Sequence, residues 1–129
     1  MKYIAVDFDG TIVEHKYPEI GRPVPNAIES IKLLQSLDYK IILWTMRSGE
    51  KLQEAIEFMK FNGITLYGVN HNPTQDSWTS SPKAYAHFYI DDAAIGCPLI
   101  YPKNGDRPYV NWHAVTQILS QRLNSESGH

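Results

Sequence analysis

Apolar runs recur along this chain at residues 3–6, 39–44, 64–69 and 87–90, and three of them stop at a residue able to do chemistry: Asp7, Thr45 and Asp91. The segments between them have helical period. Ile28, Ile31, Leu34 and Leu37 share one face, and so do Leu52, Ile56 and Met59. Strands separated by helices of ten or more residues pair in parallel through right-handed crossovers. The expected fold is therefore α/β, a three-layer α/β/α sandwich on a mainly parallel sheet. In such sheets ligands bind beyond the carboxyl ends of the strands, so the three run-ending residues should converge on one edge.

Punctuation supports this division. Asn26 and Ser48 stand where helix N-caps belong, Gly63 where a helix should end, and Asn111 ahead of a final helix carrying Val115, Ile118 and Leu119. Residues 14–25 and 70–82 read as polar loops broken by prolines, 99–101 as a short strand, and 124–129 as a disordered tail behind a single domain spanning 1–123. A chain of 129 residues with 12 basic and 14 acidic side chains has net charge −2, which gives no bulk attraction to nucleic acid or anionic membrane. No run approaches the ~20 apolar residues of a membrane span, and Asp7 and Asp9 interrupt the first run before it resembles a signal peptide. A soluble, cytoplasmic protein is expected. The lone Cys97 has no internal disulfide partner and is expected to pack in the core. Trp78 and Trp112 suit either a core or a homo-oligomer interface.

Behind the first run stands Asp7-Phe8-Asp9-Gly10-Thr11. Side chains alternate along a strand, so a regular strand would point both acids the same way. Two unpaired carboxylates taken out of water are costly, and a divalent cation relieves that cost. Gly10 permits the turn, and Thr11 offers a hydroxyl to the local backbone.

This D-x-D-G-T block resembles the first signature of the haloacid dehalogenase superfamily of phosphatases and phosphotransferases. The run closing on Thr45 resembles the second signature, and Lys83 followed by Asp91-Asp92 resembles the third and fourth. Membership implies a phosphohydrolase with Mg²⁺ as cofactor. Asp7 would be the nucleophile that forms an aspartyl-phosphate, and Asp9 the general acid and base. Thr45 and Lys83 would bind the phosphoryl oxygens. The metal would be held by Asp7, the backbone carbonyl of Asp9, and Asp91, with Asp92 as an additional ligand or behind it. Thr11, Arg47, His15 and His71 are candidate substrate contacts.

The spacing leaves no room for the cap domain that larger members insert, although 14–22 and 70–81 could act as partial lids. Residues 11–15, 69–73 and 90–92 look most like a small bacterial and phage group of capless hydrolase-like proteins, but Ala93 stands where an Arg is expected in those relatives. The expected partner is a phosphorylated small molecule or the phosphorylated end of a macromolecule. A phosphotransferase, or a receiver-like phosphorylatable or metal-binding switch, are the alternatives.

Overall fold

The protein is described by a computed structural model over residues 2–127. Strands β1 (Lys2–Val6), β2 (Tyr39–Leu43), β3 (Leu66–Val69) and β4 (Phe88–Ile90) form one parallel sheet in the order β3-β2-β1-β4. Val6 lies opposite Leu43 on one side and Ile90 on the other, and Leu43 opposite Val69. All four strands therefore end level. The next residues continue the ladder: Asp7 N–H donates to the Ile90 carbonyl (2.9 Å), Trp44 N–H to Val6 (2.9 Å) and Asn70 N–H to Leu43 (2.7 Å).

Alternation along the strands decides what each face buries. Ile4, Val6, Ile41, Leu43 and Ile90 point to the face covered by helices α1 (Ala27–Ser36), α2 (Gly49–Phe61) and α3 (Trp112–Ser127). There they meet Ile31, Leu34, Met59, Val115 and Leu119 in the main core. Each fully buried side chain of this size contributes roughly 1.5–3 kcal/mol. Tyr3, Ala5 and Ile42 point the other way and, with Ala84, form a smaller cluster flanked by Trp44 and Tyr67.

The third layer of the sandwich is thin. It is the β3–β4 connection, whose one regular element is a 3-10 helix at Pro73–Ser77. Two buried amides hold it. Gln75 donates to the carbonyls of Ser81 (3.2 Å) and Lys83 (3.0 Å) and accepts from Tyr85 N–H (2.7 Å), while Asn72 donates to the Tyr85 carbonyl (2.8 Å) and accepts from Thr74 N–H (2.9 Å). Among the described residues there is no cap domain, and no helix is long and apolar enough to cross a membrane.

Several local expectations change. Asn26 is left-handed (φ 68°), and neither it nor Ser48 makes a side-chain cap bond. Asn111 does cap, its side-chain oxygen accepting from Ala114 N–H (3.1 Å). Gly63 (φ +80°) follows the C-cap Asn62 of α2, a conformation that glycine adopts at little cost. Leu37 and Ile118 lie on exposed flanks rather than in the core, each about half accessible. Trp112 is core, not interface: it is 1% exposed and its indole N–H donates to the Thr11 carbonyl (2.7 Å). Cys97 packs half-buried against the main core. The strand expected at 99–101 is β5 (Leu99–Ile100), and it pairs antiparallel with β6 (Tyr109–Val110), which sequence reasoning missed. Of the expected disordered tail, helix α3 continues through Ser127, and residues 128–129 lie outside the described residues.

Candidate metal centre

Because the strands end level, the side chains that follow them meet. Asp7 after β1 and Asp91 and Asp92 after β4 bring carboxylate oxygens within 4.8 Å of one another. Thr45 after β2 and Asn70 after β3 complete an arc, and a cavity of about 300 Å³ opens between them, walled also by Trp44, Met46 and Pro82.

The acids are held by a short chain of hydrogen bonds. Thr11 is fully buried, and its hydroxyl donates to Asp7 Oδ2 (3.0 Å) while accepting from Asp92 N–H (3.1 Å). His15 Nε2 lies 2.9 Å from Asp92 Oδ2. Ala93 N–H donates to Asp91 Oδ1 (2.9 Å). Gly10 (φ +86°) passes beneath, where an added Cβ would collide with the His15 ring and the Asp92 carboxylate. The β5–β6 hairpin is tied to this turn, since Val110 N–H donates to the Gly10 carbonyl (3.0 Å).

Three acids so close cannot all ionise easily without a cation. Burial pushes the Asp7 carboxyl up from its ordinary 3.8 to about 8, helped by hydrogen bonding with Asp92 and the charge of Asp91, while the Thr11 hydroxyl opposes the rise. An all-oxygen donor set of this kind fits a hard divalent cation. Asp7, Asp91 and Asp92 would supply its carboxylates.

The Asp9 carboxylate is not part of the cluster. Phe8 stays on the core face with Ile4 and Val6, as alternation requires, while past the end of β1 the Asp9 carboxylate turns to Arg47. Arg47 Nε donates to Asp9 Oδ2 and Nη2 to Oδ1, both at 2.8 Å, and Nη1 and Nη2 reach the carbonyls of Pro18 (3.3 Å) and Glu19 (2.8 Å). The guanidinium lies 5.1 Å from both the Phe8 and Tyr17 ring centres and is 3% exposed. Arg47, expected as a substrate contact, thus fastens the 14–22 loop to the turn and does not line the cavity beside the acids. Each Asp9 oxygen accepts one hydrogen bond from Arg47, and the carboxylate does not line the cavity beside the acids.

Of the other expected site residues, Thr45 lines the cavity; its N–H donates to Asn70 Oδ1 (2.8 Å) and its hydroxyl accepts from Arg47 N–H (3.1 Å). His15 reaches the acids. Thr11 positions them and is too buried to touch a substrate. Lys83 is exposed, its ammonium 5.4 Å from the Tyr89 ring centre, and it does not line the cavity although Pro82 does. His71 pairs with Asp76 (2.8 Å) outside the cavity. Asn70 and Met46 were missed; Asn70 was findable, because it ends an apolar run just as Asp7 and Asp91 do.

No protein-family model matches the chain, and no curated protein matches it. A solved structure does: a conserved protein from Bacteroides thetaiotaomicron aligns with TM-score 0.77 and 38% identity over 94% of this chain and 91% of that one. At that identity and coverage, the chain belongs to the same family as this Bacteroides thetaiotaomicron protein.

Proposed function

We propose that this chain is a cytoplasmic Mg²⁺-dependent phosphohydrolase of the haloacid dehalogenase type, working through Asp7. The observation that carries this reading is the convergence of Asp7, Asp91 and Asp92 at the carboxyl ends of adjacent parallel strands, with Thr45 across the cavity. An Asp7 oxygen would attack phosphorus while the bond to the leaving oxygen breaks. Water would then release phosphate from the resulting acyl-phosphate and restore the carboxylate, as in other covalent routes that divide one hard step into two.

Charge is the obstacle. Two unit charges about 4 Å apart repel by roughly 4 kcal/mol at an effective dielectric near 20. When bound, Mg²⁺ supplies compensating charge to the acids and the phosphoryl oxygens. The Thr45 hydroxyl offers a hydrogen bond to the phosphoryl group. Asp7 itself must be ionised to attack, and its raised pKa makes that dependent on a cation nearby.

One observation favours a second reading. With both Asp9 oxygens accepting from Arg47, the expected acid and base is engaged elsewhere, which suits a long-lived aspartyl-phosphate and hence a receiver-like switch. For turnover by the family's acid and base, Asp9 must first leave Arg47.

The test is phosphate release from a panel of phosphate monoesters with Mg²⁺ and with chelator, for the wild type and Asp7→Asn. The hydrolase reading requires metal-dependent release that disappears in the variant. Stoichiometric labelling without multiple turnover favours the switch, and neither labelling nor release overturns both.

A further inference from the structure

The cavity beside the acids has apolar lining too: Trp44, Met46 and Pro82 share it with Asp7, Thr45, Asn70 and Asp91. Trp44 rests partly on the second-face cluster, whereas Met46 is 98% exposed and spends none of its surface on the core. The oxygens nearest these side chains each already accept a bond, Asn70 Oδ1 from Thr45 N–H and Thr45 Oγ1 from Arg47 N–H, and the Thr45 O–H is the donor assigned to the phosphoryl group. A sugar ring placed here would lose water from several hydroxyls with few partners to replace it, a loss that selects strongly against polar groups. A planar ring would lose little and would gain the faces of Trp44 and the thioether of Met46. The volume, about 300 Å³, sits at the small end of ligand sites and suits one ring plus a phosphoryl group.

The position of Asp9 bears on the leaving group. Its carboxylate does not line the cavity and both oxygens accept from Arg47. A leaving oxygen that departs without a donated proton suits such a site. A phenol, with ordinary pKa about 10, is such a leaving group, far better than an aliphatic alcohol.

We infer that the substrate class of this site is a phosphate monoester of a phenol, its ring lying between Trp44 and Met46 and its phosphoryl group at Asp7. The inference rests on the phosphohydrolase reading for its chemistry, but the apolar wall can be tested by binding alone. The probes are phenylphosphonate and methylphosphonate, identical at the phosphonate and different in the ring, titrated by calorimetry with Mg²⁺ into the wild type, Met46→Ala and Trp44→Phe. Phenylphosphonate should bind at least roughly tenfold more tightly than methylphosphonate, and Met46→Ala should remove most of that ratio. The conservative Trp44→Phe, which keeps a ring on the second-face cluster, should retain part of it. Equal affinity of the two phosphonates, or a ratio that survives Met46→Ala, overturns the inference. Discrimination without hydrolysis of phenyl phosphate leaves the ring site standing and removes the catalytic reading. Hydrolysis without discrimination does the reverse.

Discussion

The Arg47 guanidinium and the Asp9 carboxylate face each other through two parallel hydrogen bonds of 2.8 Å, from Nε to Oδ2 and from Nη2 to Oδ1. Arg47 is almost wholly buried and also donates to the loop carbonyls of Pro18 and Glu19. Arg47→Met should therefore destabilise the protein by about 3 kcal/mol, because Asp9 loses its partner in a poorly solvated place. Arg47→Lys should recover only part of this, since an ammonium cannot reproduce the fork. Urea melts of the three proteins check both statements, and equal midpoints would mean the pair does not hold the loop.

The Asp7 carboxyl gives the metal-free protein a pH dependence of unusual sign. Its pKa rises from 3.8 to about 8 on folding, so between those values the native state holds a proton that the unfolded state has lost. Stability from this group is full below pH 4 and declines as pH rises toward 8. Asp7→Asn lacks the carboxylate. In chelator, the variant's advantage in melting temperature over the wild type should grow from pH 5 to pH 8, corresponding to a few kcal/mol at the upper end. A constant difference across that range would contradict the crowded, buried site.

A cation that binds the folded acids alone must raise the melting temperature. At a hundredfold excess over its dissociation constant Mg²⁺ should add about 2.7 kcal/mol. The gain should vanish in Asp7→Asn and fall in Asp91→Asn, because both carboxylates belong to the cluster. Differential scanning fluorimetry against Mg²⁺ concentration reads this directly, and an unchanged shift in Asp91→Asn would remove that residue from the ligand set.

Gly10→Ala should disturb the site without touching an acid. The backbone is at φ +86°, and the new methyl would meet His15 and the Asp92 carboxylate. A loss of roughly 2 kcal/mol is expected from the strained conformation and the displaced pair, together with weaker Mg²⁺ binding by calorimetry. Wild-type metal affinity in the variant would show that the His15–Asp92 contact does not order the acids.

What was legible in the sequence was what apolar patterning controls. Asp7 and Thr45 follow apolar runs in the middle of a parallel sheet and Asp91 follows the partly exposed edge strand β4, so their convergence follows from topology. Long-range pairing was not legible. Nothing local says that β1 stops at Val6 or that the Asp9 carboxylate meets Arg47 across the intervening chain. Trp112 could not be assigned to the core without knowing that the Thr11 carbonyl lies beneath it. β6 is only two residues long and exists because β5 and the Gly10 turn give its backbone partners. The capping of α1 and α2 was misread because Asn26 and Ser48 satisfy the composition of a cap while their side chains make no cap bond.

The central claim is that Asp7 accepts a phosphoryl group. The most direct measurement is mass spectrometry of the intact and digested protein after brief incubation with phenyl phosphate or acetyl phosphate and Mg²⁺, followed by acid quench. The account predicts the added mass of one phosphoryl group on the peptide containing Asp7, absent with chelator and absent in Asp7→Asn. Metal-dependent phosphate release with no such adduct, or an adduct that persists in Asp7→Asn, would contradict it.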